Sequence, residues 1–582
     1  MSFNKILAGL GLTVSLIQPA LAGLPNGIAS GDTSQTSTIL WARSRLTGNV
    51  SFQVKDAGTV VFEQSVPVIN PRIPAKLTVN NLTAGKLYTY TVTSPDGVVR
   101  DGSFKTAATE GNTPAVSFGV TGDWRGELAP YPAIKNVPST KLDFFVKLGD
   151  TIYADYSSPA VTGQAKTLKD YQLKHKEVYT RHDGLNAFAS LQRNVSTFSM
   201  IDDHEVINDF AGGAPAASDG RFGETAGLIN QTTLYNNGLQ AFIQYNAIAD
   251  KRYPFAGDSL TDGRPDLYRT QRYGSTAAVY MLDARSFRDQ GLPDVTDITS
   301  PAQIGAFVAE SFDAGKATTR TMLGKTQLNR LKADLLAAQN DNVIWKFVMV
   351  PEPIQNLGVL AASDRFEGYA SERSELLRFI DENSIKNVVF VTADIHGTLV
   401  NDLTYQRRED VLNAILTVGN PLAAPQIKTS AFEISTGSVA FYPGFGDSVI
   451  GLLSAMPNGD LLLAQLFAAV GVNNVADFNA LPMGIRNAAM EGFINGQLTQ
   501  LGYTPLGLGD NSLINAKLLK GANIAVFSFG WTRFDIRPDN HALKITTYGI
   551  TPYSEQDIKD NAPEVVSRKP QVINQLHIIP QS

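Results

Sequence analysis

Four short apolar runs in this chain are each followed closely by acidic or imidazole side chains: Asp123 after the run from Val116, Asp150 after the run from Phe144, Asp202 to Glu205 after the run from Phe198, and Asp394 and His396 after the run from Val388. A continuous apolar run of this length, bounded by turn residues, is the pattern of a strand covered on both faces. α/β sheets bind ligands just beyond the carboxyl ends of such strands. A lone aspartate there is as often a helix cap or a loop brace as a ligand. Several carboxylates converging without basic partners repel one another and raise each other's pKa, unless cations sit between them. The coincidence of the four segments therefore predicts a metal site assembled from strand ends.

The donor types available narrow the metals. The 582 residues include no cysteine, which removes disulfides, thiolate ligands and a cysteine nucleophile together. The six histidines are His175, His182, His204, His396, His541 and His577, so a metal site must lean on oxygen donors, and that favours hard cations. A net charge of -6 offers no basic field for nucleic acid.

The length exceeds one compact core and predicts at least two domains. Residues 1–22 read as a secretory leader: Lys5, the apolar stretch Ile6 to Ile17, then Pro19 and the small-x-small end Ala20-Leu21-Ala22. The expected location is periplasmic or secreted. Residues 23 to about 108 carry β-branched runs broken by Gly, Pro and Asn, predicting a small β-sandwich of fibronectin III-like type in which Tyr88 and Tyr90 are packing and corner residues. From residue 114 strand-like and helical stretches such as Lys325 to Ala338 are interspersed, predicting a layered α/β domain with mixed sheets flanked by helices. Residues 448 to 500 read as a helical insertion, with strands returning at Ile524 to Phe529, Thr532 to Ile536 and Leu543 to Tyr548. A packed helical pair is the expected role of the insertion, with a lid or lipid-contacting element as the alternative.

Six further stretches bear on identity: GLPNGIASGDTSQTSTILWAR, KLGDTIYADY, IDDHEVINDF, MLDARSFRD, MLGKTQLNRL, and TADIHG with the following FEISTGS. In this order, over most of residues 23 to 440, they resemble the PhoD-like alkaline phosphatases within the calcineurin-like metallophosphoesterases. The resemblance implies metal ligation by Asp123, Asp150, Tyr153, Asp203, Asp394 and His396, with Asp150 bridging two metals and Tyr153 as a phenolate. It implies that His204 is the catalytic imidazole at the leaving oxygen, and that the metals are iron and calcium. This chain departs from the pattern at Asp123-Trp124, where some relatives carry a cysteine, and at Val350-Pro351-Glu352, where the wider superfamily has a histidine.

The implied function is metal-dependent hydrolysis of a phosphate ester, by water attacking phosphorus in line and without a covalent enzyme intermediate. Two alternatives stand beside it. One is a phosphodiesterase or phospholipase D-like enzyme acting on phospholipid or teichoic-acid-like substrates, and the other is a surface adhesion or metal-storage protein. Arg285 and Arg288 read as structural partners of Asp283 and Asp289 rather than as phosphate contacts.

Overall fold

The computed structural model describes residues 23–581, so the leader expected over residues 1–22 lies outside the described residues. Strands Val116–Thr121, Phe144–Leu148 and Thr197–Met200 run parallel side by side within a ten-stranded sheet. Ala277–Met281, Trp345–Met349, Val388–Thr392 and Ile427–Ser435 run parallel in a second, seven-stranded sheet. Both groups are almost wholly buried because each is covered on two faces. Between the sheets, Phe118, Val146, Phe347 and Val391 share one core. Phe118 lies stacked between Phe144 and Phe534 at 4.7 Å from each ring.

Helices close the outer faces. Leu168–Glu177 begins at a Thr167/Asp170 capping box, and with Thr233–Tyr245 it packs on the first sheet. Lys325–Asn340 buries Leu328, Leu331, Leu335 and Ala338 against the second, the three- and four-residue spacing of a helix with one apolar stripe. The expected α/β class of mixed sheets flanked by helices is the observed one.

At the N-terminal end, Thr59–Val68, Gly48–Asp56, Leu87–Thr93 and Val99–Lys105 form a separate four-stranded sheet. It shares a core with Ile28–Gly31, Thr38–Ala42 and Ala75–Val79. Those three inner strands extend the ten-stranded sheet, where Gly31 pairs in parallel with Thr197. Tyr88 is buried, and its hydroxyl accepts the Thr83 N–H at 2.9 Å, which pins the corner before its strand. The chain ends by returning to the same sheet. Phe529–Ile536 pairs antiparallel with Val116–Thr121, followed by Leu543–Ile550 and Gln571–Ile579.

The strand expected over 524 to 529 is split into Ile524–Ala525 and a separate strand beginning at Phe529. Phe527 points into the core of the helical segment whereas Phe529 points into the core of the first sheet, so one straight strand cannot serve both. The helical segment consists of Phe445–Ala455, Gly459–Ala468, Val475–Asn479 and Met483–Gln500, packed around Leu453, Leu466, Phe478 and Met490. No helix among the described residues is long and apolar enough to cross a membrane.

Candidate metal centre

The loops leaving Val116–Thr121, Phe144–Leu148, Thr197–Met200 and Val388–Thr392 meet at one end of the two packed sheets. Asp123, Asp150, Asp394 and His396 all have left-handed backbone conformations, with φ of 64°, 50°, 64° and 58°. For residues other than glycine this costs energy, and it recurs where a fold aims side chains into a site. Two glycines make the convergence sterically feasible. A Cβ on Gly437, whose φ is 115°, would lie 2.6 Å from Asp123 Oδ2, and one on Gly149 would lie 2.7 Å from the Asp202 Cβ.

The donors fall into linked groups. Ligand atoms of Asp123, Asp150 and His396 lie within 4.8 Å of one another, as do those of Asp150, Asp203 and His204. Asp150 is the member common to both. Asp394 joins Asp202 and Glu352 in a third group, apart from its sequence neighbour His396, and Asp203, Asp209 and Asp364 make a fourth. The Tyr153 hydroxyl lies 3.2 Å from His396 Nε2, and its ring packs against those of His204 and Phe441.

Electrostatics decides whether such a site suits cations. Asp123 Oδ1 and Oδ2, Asp150 Oδ2, Asp202 Oδ2, Asp203 Oδ1 and Glu352 Oε2 are buried without a hydrogen-bond partner. Burial, then the neighbouring Asp202, pushes Asp123 well above the carboxylate range; for Asp150 the causes are burial followed by Asp203 and Asp202. Asp394 is raised by burial and then by Asp202. Burial lowers His396 to about 3, leaving the neutral imidazole that a metal requires. Tyr153 is raised by burial and then by Asp150 and Asp123, so a phenolate there calls for a strongly electrophilic neighbour. Unpaired buried carboxylate oxygens crowding one another are the donor set that hard cations satisfy, and the residues present fit them.

Arginines stabilise the rim. Arg285 Nε donates to Asp202 Oδ1 at 2.6 Å, and its terminal nitrogens donate to Asp364 at 2.8 and 2.7 Å. Arg288 joins Asp364 and Glu352. Both guanidiniums are buried, so the structural role expected for them holds, but with different partners. The Asp283 side chain accepts the backbone N–H groups of Arg285 and Ser286, and that of Asp289 accepts the Thr321 N–H. Glu352 Oε1 is engaged by the arginines, leaving only Oε2 facing Asp202 and Asp394.

His204 is held differently from His396. Its Nδ1 lies 2.6 Å from Asp155 Oδ1, and its Nε2 lies 4.0 Å from Asp203 Oδ1. Burial opposes its protonation, yet Asp203 and the bond to Asp155 outweigh that and raise it to about 9. Burial also acts to raise Asp203, but Arg285 and His204 hold it below the usual carboxylate range. Sequence reasoning missed Asp155 and Glu205, whose carboxylate accepts N–H groups from Asp150, Thr151 and Asp202 at 3.2, 2.6 and 2.8 Å. Both lie inside the quoted KLGDTIYADY and IDDHEVINDF stretches, at or just beyond the ends of two of the apolar segments, but nothing in the sequence assigned either of them a role.

A family model described as PhoD-like phosphatase matches residues 121–456. The chain is 27% identical over 448 residues to alkaline phosphatase D of Bacillus subtilis (strain 168), covering 68% of this chain and 70% of that protein. A solved structure described as PhoD superimposes with a TM-score of 0.64 at 18% identity, covering 96% of this chain and 92% of the other, which is a likeness of fold. A purple acid phosphatase from yellow lupin seeds aligns with a TM-score of 0.46 at 9% identity, covering 96% of this chain and 75% of that one.

Proposed function

Because this chain belongs to the PhoD-like phosphatase family, and on that ground is a phosphatase, we propose that it hydrolyses phosphate esters outside the cytoplasm with cations held by Asp123, Asp150, Tyr153, Asp203, Asp394 and His396. The observation that carries the reading is the convergence of Asp123, Asp150 and His396, with Asp203 close to Asp150, in which buried carboxylate oxygens have no partner. Bound cations would draw charge from the phosphoryl oxygens and make water acidic enough to supply a nucleophile near neutral pH.

The remaining work falls to side chains of this protein. Asp155 anchors Nδ1 of His204 and so directs Nε2 toward the carboxylate cluster. Asp203 and the bond to Asp155 both favour the charged form of that imidazole, the form that can donate a proton to a departing alkoxide. Glu205 fixes the backbone of both aspartate loops, holding Asp150 and Asp202 in place without entering the chemistry. Oxygen-rich donors suit calcium, and the Tyr153 and His396 pair suits iron. The leader-like residues 1–22 support a periplasmic or secreted location.

Elemental analysis of the purified protein, combined with rates on p-nitrophenyl phosphate and bis(p-nitrophenyl) phosphate, tests this. The expected result is bound iron and calcium with faster turnover of the monoester. Faster turnover of the diester would turn the assignment to a phosphodiesterase, and metal-free protein with full activity would refute it.

A further inference from the structure

Asp394 and His396 of the candidate metal centre line a cavity of about 1180 Å³. That exceeds the roughly 300–1,000 Å³ of common small-molecule sites, and a phosphoryl group fills a small part of it. Its lining is of two kinds. Asp209, Asp364, Asp394 and His396 belong to the donor groups of the centre. The helical segment and a loop outside it contribute Leu452, Leu462, Phe493 and Ile298, beside the polar Ser448 and Gln497.

Charge excludes most polyanionic occupants. No lysine lines this cavity, and its one arginine, Arg365, is committed to Glu367 and to the carbonyls of Gly358, Leu360 and Ala361. A nucleotide, a polyphosphate or a phosphate polymer would place further anions against a lining that offers acids, apolar and neutral polar side chains and no uncommitted lysine or arginine. An alkyl chain meets the opposite situation: leaving water for the Leu and Phe walls is favourable in proportion to the area buried.

We infer that the preferred substrate is a phosphate ester of a long-chain alcohol, with its phosphoryl group at the metal centre and its apolar chain in the cavity beneath the helical segment. This rests on the phosphatase reading and adds the substrate class. Leu452, Leu462 and Phe493 belong to the segment between Phe445 and Gln500, so the helices read in the sequence as an insertion contribute to one side of the binding site.

A series of n-alkyl phosphates from ethyl to dodecyl, kept below their critical micelle concentrations, tests the inference. Each added methylene should lower KM by about three- to fourfold until the cavity is filled. Leu452→Gln and Phe493→Gln should flatten that slope. A folding defect scales all chain lengths alike and leaves the slope intact, so the two effects separate. A second arm presents dioleoyl phosphatidic acid in phosphatidylcholine vesicles. Turnover there with the same sensitivity to the two variants also supports the inference and identifies a bilayer as the source. Ethyl phosphate turnover with a KM flat along the series and no vesicle turnover would overturn the inference while leaving the phosphatase reading intact. Preference for a nucleotide over dodecyl phosphate would overturn it equally. Absence of turnover for every ester would remove both.

Discussion

Asp150 is the side chain on which the two principal donor groups meet, and its Oδ2 is buried without a partner. Asp150→Asn keeps the shape and removes the charge, so phosphate ester hydrolysis should fall by at least ~100-fold, the upper end of what losing a supporting partner costs. Rates and metal content measured together check this, and an unchanged rate in folded, metal-loaded variant protein would contradict it. His204→Ala should cost about 10²–10⁴-fold on an alkyl phosphate. The loss should be much smaller on p-nitrophenyl phosphate, whose leaving oxygen is stable without a proton; equal losses on the two would exclude a general acid. Away from the site, His175 is buried against Tyr245, and burial lowers it from 6.5 to about 3. The unfolded chain therefore takes up a proton that the folded chain refuses, so this contribution is fully present above about pH 6.5 and lost as pH falls toward 3. His175→Phe should reduce the drop in melting temperature between about pH 7.5 and about pH 5, by the equivalent of at most about 2 kcal/mol. Of the residues around the centre, Asp123, Asp150, Asp203, Asp394 and His396 were legible because each follows an apolar run. Asp155 beside His204 and the partners of Arg285 were not, because those contacts join segments 49 to 83 residues apart in the chain.

At the scale of strands and loops, the site is a product of how the strands end. Gly437 leaves the strand Ile427–Ser435 with a left-handed φ and passes within contact of Asp123. Gly437→Ala should cost about 1–3 kcal/mol of stability, and the displaced Asp123 should lower activity by tenfold or more, on the order of the loss of a supporting contact. Gly58 is the control, since its φ is 90° and a Cβ there meets nothing within 4 Å. Gly58→Ala should lower the melting temperature and leave the rate alone; a matching loss of activity would show that general destabilisation explains both. The apolar strands were readable because burial on two faces leaves a continuous hydrophobic run. The pairing of Gly31 with Thr197 was not, since edge-to-edge continuity between an inner sandwich strand and a neighbouring sheet leaves no trace in either strand's composition.

For the molecule as a whole, two sheets packed face to face bring four distant segments to one rim, and the helical segment covers part of the cavity that opens there. The layered architecture could be anticipated from alternating strand and helix patterns. The merging of N-terminal and C-terminal strands into one ten-stranded sheet could not, because it depends on which edges remain free once the central strands are paired. Arranged this way, the fold buries mutually repelling carboxylates at a cost that bound cations offset, and hydrolysis should depend on them entirely. The direct measurement is the rate of p-nitrophenyl phosphate hydrolysis by protein stripped with a chelator and verified metal-free, before and after iron and calcium are returned. The account predicts a fall of about 10³-fold or more and recovery on reconstitution; undiminished turnover by the stripped protein would contradict it.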